Sequence, residues 1–168
     1  MNRFHTLTLT TMSLLLLAVA LPAGDAAGQT AKELVGSWTL VSVSVEQGEK
    51  KVEPFGPNPN GSLMLDGSGR FSITVIRAGL PKFASNNRQA GTAEENKAAV
   101  QGSLAYFGTY SVSEADRMIS MQIEGSTFPN WNGTEQKRLF TLAGDQLTLT
   151  NPTGSVGGTT QIVWRRAK

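Results

Sequence analysis

Cysteine is absent from the 168 residues, and the single histidine, His5, stands near the start. Without thiols no disulfide can staple the fold, and no lipid can be attached through a cysteine. Without imidazole beyond residue 5, Ser-His-Asp and Cys-His catalysis are excluded, as is zinc held by Cys or His. Any chemistry falls to carboxylates, Tyr, Lys, Arg or the backbone, and neither a metal nor a cofactor is expected. Charge is sparse as well, with 17% charged residues and a formal net charge of +2. The basic residues are scattered except in the terminal "WRRAK". Nucleic acid is therefore not an expected partner, since its binding needs a concentrated basic stripe.

Long apolar runs are lacking too, apart from Met12 to Ala20, "MSLLLLAVA". That run follows a short basic start and precedes the small residues of "LPAGDAAGQT". It is too short to cross a hydrocarbon layer of about 30 Å with margin. Residues 1–27 read as a signal peptide cut near Ala26 to Gly28, which implies secretion and no integral membrane span afterwards. Residues 28–168 are the size of one ordinary domain.

Within that domain the pattern is short alternating segments separated by Gly, Pro, Asn and Asp, the signature of an antiparallel meander. "GSWTLVSVSVEQ" opens it, and "DGSG" at Asp66 to Gly69 predicts a hairpin between "SLMLD" and "RFSITVIR". "LAYFGTYSV", "RMISMQIEG", "EQKRLFTL", "QLTLT" and "TQIVWRR" complete eight strands. One excursion, Ala78 to Gly102, breaks the rhythm. There Thr92 precedes Glu95 at capping-box spacing, so "AEENKAAVQ" predicts one short helix with Gly102 as its stop and the rest a loop or lid. Eight strands suffice to close a small barrel, and closure removes exposed edges. The expected fold is an all-β, eight-stranded, up-and-down antiparallel barrel. One matter stays open: Trp38 and Leu40 occupy one face of the first strand, and Val41, Val43 and Val45 the other. A bulge, the helix or a partner must reconcile the two.

Gly36-Ser37-Trp38, together with Arg165 or Arg166 after the last strand, resembles the lipocalin arrangement in which a Trp plugs the barrel base beneath an Arg. "LVGSWTLVSV", "EPFGPNPNGSLMLDGSGRFSI", "AYFGTYSV", "PNWNGTEQKRLF" and "IVWRR" extend the likeness to the bacterial lipocalin-like domain family, over about Leu34 to Arg166. The resemblance implies a lipocalin/calycin-like barrel and assigns no ligand; the signal peptide makes a secreted, periplasmic destination the expectation. It also implies a His pair where this chain carries Met121 and Gln122, so an imidazole-based activity is not carried over.

Candidate site residues cluster in three stretches. In "EGSTFPNWNGTEQKRLF", Phe128 and Trp131 either cap the core or line a pocket mouth, with Asn130 or Asn132 orienting a polar ligand group. In "EPFGPNPNG", Phe55 is either a staple beneath a stiff connection or a wall opposite Trp131. In "AYFGTYS", Tyr106, Gly108 and Tyr110 share a strand face and make either a slot for a flat ligand or a relief of crowding. Arg138 joins the ligand-binding set. Tyr106, Glu124 and Arg138 are the candidates for any proton transfer, with Glu124 and Glu135 flanking the same loop. The leading expectation is binding of a small hydrophobic or amphipathic molecule without chemistry. The alternatives are an isomerase- or cyclase-type enzyme using the cavity, or an interaction module docking through Ala78 to Gly102.

Overall fold

The computed structural model describes residues 31–154 and 157–168. The segment read as a signal peptide, with His5, lies outside the described residues. After a helical turn at 31–34 come β1 (Gly36–Gln47), β2 (Lys50–Val52), β3 (Asn60–Leu65), β4 (Arg70–Ile76), helix α1 (Ala93–Gln101), β5 (Ser103–Ser113) and β6 (Met118–Ser126). A 3-10 turn (Pro129–Trp131) then leads to β7 (Glu135–Ala143), β8 (Gln146–Asn151) and β9 (Thr159–Arg166).

All pairings are antiparallel, and β1 pairs with β9 from Trp38↔Arg166 to Glu46↔Thr159. The sheet therefore closes into the expected eight-stranded barrel. The strand β2 is an addition, a charged and fully exposed three-residue strand folded back on the end of β1. Its pairing has a consequence for the mouth of the barrel. Only Gly36 to Thr39 of β1 pair with β3, while Val45 to Gln47 pair with β2. The Pro-rich segment 53–59 crosses the gap between them, and Phe55 packs against the core there.

The parity of β1 is reconciled by a bulge. The register against β9 shifts between Leu40 and Ser42, leaving Val41 without a pairing partner and 37% exposed. One extra residue turns every later side chain over, so Trp38, Leu40, Val43 and Val45 all point inward and are buried. A second irregularity falls between Phe107 and Gly108, which pair with Gly125 and Ile123 and leave Glu124 bulged out of β6.

The closed end is built by Leu34, Trp38 and Arg166. The Trp38 Nε1 donates to the Leu34 carbonyl at 3.0 Å, and the Arg166 guanidinium sits 4.2 Å from the Trp38 ring centroid. Arg165 is exposed, because alternation on β9 turns it outward. Helix α1 has the capping box foreseen between Thr92 and Glu95, and Gly102 caps its end. Hydrogen bonds from Arg77 N to Gly102 O (2.7 Å) and from Arg77 Nη2 to Pro54 O (2.8 Å) close the base of the excursion and tie it to the Pro-rich segment.

Candidate functional site

Hydrophobic residues fill the closed half of the barrel, but the other end is hollow. A cavity of about 110 Å³ lies beneath the mouth. Val43, Val45, Val75, Leu149 and Ile162 form its apolar wall, and Phe55, Tyr106 and Trp131 supply the rings. Gln101 at the end of α1 also reaches the lining, which makes the helix part of the mouth. Arg138 and Asn151 are shared with an adjoining outer hollow that includes Gln136 and Thr153.

The rings form a chain from core to surface, each pair edge to face: Phe71 to Tyr106 at 5.9 Å, Tyr106 to Trp131 at 5.2 Å, and Trp131 to Phe128 at 5.7 Å. The 3-10 turn, with Pro129 at its start, sets Trp131 over the barrel end. Thr134 Oγ1 donates to the Trp131 carbonyl at 2.7 Å and steadies the turn. The stretch from Glu124 to Phe140 is thus both a turn and a rim: Trp131 lines the cavity while Phe128 and Asn130 stay exposed.

Arg138 is the electrostatic centre. Its alternating neighbours on β7 point to solvent, whereas it is 4% exposed inside the barrel. It donates to the Lys137 carbonyl at 3.1 Å and to Gln136 Oε1. Burial pushes the Tyr106 hydroxyl above its ordinary pKa, and the Arg138 guanidinium beside it pulls the other way. A tyrosine in this setting is a neutral hydrogen-bonding group at physiological pH.

Of the residues singled out by sequence, Phe55, Tyr106, Trp131 and Arg138 line one cavity. Gly108 and Tyr110 do not. A Cβ at Gly108 would sit 1.9 Å from the Gln122 carbonyl oxygen, so what approaches this glycine is the β6 backbone. The Tyr110 hydroxyl donates to the Asp66 carbonyl at 2.8 Å, at the opposite end of the barrel from Trp131. Glu124 is on the outer surface in a two-fork ion pair with Arg70, both contacts 2.9 Å. Glu135 is exposed beside Lys137. Tyr106 and Arg138 therefore converge on the inner cavity, whose described lining holds neither carboxylate, while Glu135 borders only the outer hollow that Arg138 also reaches. Met121, where the family resemblance implies His, is fully buried, and Gln122 faces out to the Gly133 carbonyl. Among the described residues, no group of three or more acidic side chains is gathered to hold a metal.

Sequence reasoning left Val43 and Val45 unassigned, because their face depends on a bulge with no residue signature. Asn151 gives no such signal either, because an Asn before a Pro is an ordinary turn former; its side chain bonds Thr153, at 3.0 Å and 3.1 Å, while also reaching the cavity.

A stretch of this chain is 34% identical over 85 residues to the 4'-hydroxy-3'-methoxypropiophenone carrier protein ppsC of Aspergillus oryzae (strain ATCC 42149 / RIB 40), covering 47% of this chain and 77% of that protein. Two crystal structures of the fluorescent protein UnaG, wild type and a mutant, align over 82% of this chain and 99% and 98% of theirs, at 11% identity and a TM-score of 0.37. The sequence pattern of the lipocalin-like domain matches residues 35–167, nearly all of the closed barrel, and the chain belongs to that family.

Proposed function

We propose that this protein is a secreted carrier that holds a small, single-ring amphipathic molecule in the mouth of its barrel and releases it unchanged. The observation that carries the reading is the cavity itself, an apolar chamber with a few polar groups, Tyr106, Arg138 and Asn151, on one wall. Chambers of this composition orient a ligand through the polar groups and hold it through apolar contact. The name of the Aspergillus relative supports the reading, because its ligand is one aromatic ring with oxygen at both ends. A cavity of this size suits one ring with a short chain rather than a long lipid.

The test is a thermal-shift and fluorescence titration with 4'-hydroxy-3'-methoxypropiophenone and related single-ring phenols. Saturation at about a hundredfold over Kd raises stability by about 2.7 kcal/mol. Absence of any shift at millimolar ligand counts against the carrier reading. Because Tyr106 and Arg138 share the cavity, an isomerase- or cyclase-type reaction is the second reading. Mass analysis of the ligand after prolonged incubation separates the two: a carrier returns it unaltered.

A further inference from the structure

Among the described residues that line the cavity, Arg138 alone bears a formal charge. Among the described residues the ion pairs are Arg70–Glu124, Lys137–Glu135 and Arg166–Asp145, and none involves Arg138. Two of the five guanidinium donors go to the Lys137 carbonyl and Gln136 Oε1. Both acceptors are neutral, so the charge is solvated by dipoles without being cancelled. Buried charges are ordinarily paired, and an apolar side chain at this position would pack without the cost. Phe140, the next inward residue on β7, does so. A cation kept in a hydrophobic chamber beside an outer hollow is therefore an arrangement that packing does not require.

We propose, on the basis of the carrier reading above, that the missing counter-ion is supplied by the ligand: the cavity selects a single-ring monocarboxylate, whose oxygens accept from Arg138. The planar fork of a guanidinium matches both oxygens of a carboxylate. Tyr106, on the same wall, is a neutral donor for one of them. The ring lies among Trp131, Leu149 and Ile162. One cation answers one negative charge, so a dianion such as a phosphate monoester would bring charge for which this wall has no second partner.

Two probes of equal shape separate charge from burial: 3-phenylpropanoate and its neutral amide, 3-phenylpropanamide, titrated by calorimetry into the full secreted chain at neutral pH. The wild type is expected to bind the acid tenfold or more over the amide, roughly the differential of one charge-assisted hydrogen-bond pair. In Arg138→Met that ratio is expected to fall to about one, with amide affinity retained. Arg138→Lys, which keeps a point charge without the fork, is expected to fall between and serves if the Met variant does not fold. An amide that binds wild type as well as the acid overturns the inference and leaves the carrier reading standing. A preference for acid that survives in Arg138→Met overturns it too. If neither probe binds at millimolar concentration, the carrier reading fails and this inference fails with it.

Discussion

The guanidinium of Arg166, the last residue of β9, lies 4.2 Å from the ring centroid of Trp38 on β1. It also donates to the carbonyl of Val35 at 3.2 Å and to that of Glu33. One side chain thereby joins the ends of the sheet and holds the helical turn at 31–34 over the barrel base. Cation–π contact contributes about 0.5 to 2 kcal/mol, and charge-assisted bonds to carbonyls add to it. Arg166→Ala is expected to cost about 2 to 3 kcal/mol in urea unfolding. Arg165→Ala, exposed on the other face, is expected to stay within about 0.5 kcal/mol of wild type. Equal losses from both would show that chain-end charge, not the Trp38 contact, sets the effect.

Gly108 separates two kinds of glycine. A methyl group there would meet the Gln122 carbonyl at 1.9 Å, and Gln122 C and Glu124 N at 3.0 Å, all backbone atoms of β6. Backbone cannot rotate aside, so Gly108→Ala is expected to cost about 3 kcal/mol or more. Gly133, at φ +77 with nothing within 4 Å, carries only the conformational penalty. Gly133→Ala should cost about 1 to 2 kcal/mol, also by urea unfolding. Reversal of that order would contradict the bulge at Glu124.

The β3–β4 hairpin predicts an acid response. Asp66 accepts from Ser68 N at 2.9 Å, Ser68 Oγ at 2.7 Å and Arg70 N at 2.8 Å. The Arg70 backbone bond, followed by the Ser68 hydroxyl, holds its pKa below the usual 3.8. A depressed folded-state pKa contributes stability above the unfolded value, lost as pH falls through the folded one. Asp66→Ala should therefore melt below wild type at neutral pH, and the gap should narrow below about pH 4. A gap constant from pH 7 to 2.5 would assign the effect to something other than the ionised carboxylate.

Tyr106 predicts the alkaline counterpart. Burial raises its folded-state pKa above the usual 10, against the opposing pull of Arg138. A raised pKa contributes stability that is present below the unfolded value and lost as pH rises toward the folded one. Wild type is therefore expected to lose more stability than Tyr106→Phe between about pH 9.5 and 11. Parallel curves in pH-dependent urea melts would show that the ring titrates alike in folded and unfolded chains.

Local chemistry in the sequence was a sound guide where one residue type dictates one conformation. The capping-box spacing of Thr92 and Glu95 places α1, and Asp66 to Gly69 places the hairpin. Trp38 with a terminal Arg marks closure, although choosing Arg166 over Arg165 needs the register of β9. Other features depend on count rather than type. The bulge at Val41 is one extra residue among similar ones, and it decides whether Val43 and Val45 see the cavity. The strand β2, three exposed residues, carries no apolar alternation to read. Arg138 stood out as a charge among strand residues, but its lack of a carboxylate partner appears only when β5, β6 and β7 are brought together. Glu124 looked like its companion along the chain and lies outside the barrel, paired with Arg70.

The most direct measurement is amide and indole chemical-shift mapping by NMR during titration with 3-phenylpropanoate. The account predicts saturable shifts concentrated at Phe55, Tyr106, Trp131 and Arg138, with the Trp38 indole at the closed end unmoved. Shifts confined to the outer surface, to the Trp38 and Arg166 end, or absent at saturating ligand would contradict a binding chamber in the barrel mouth.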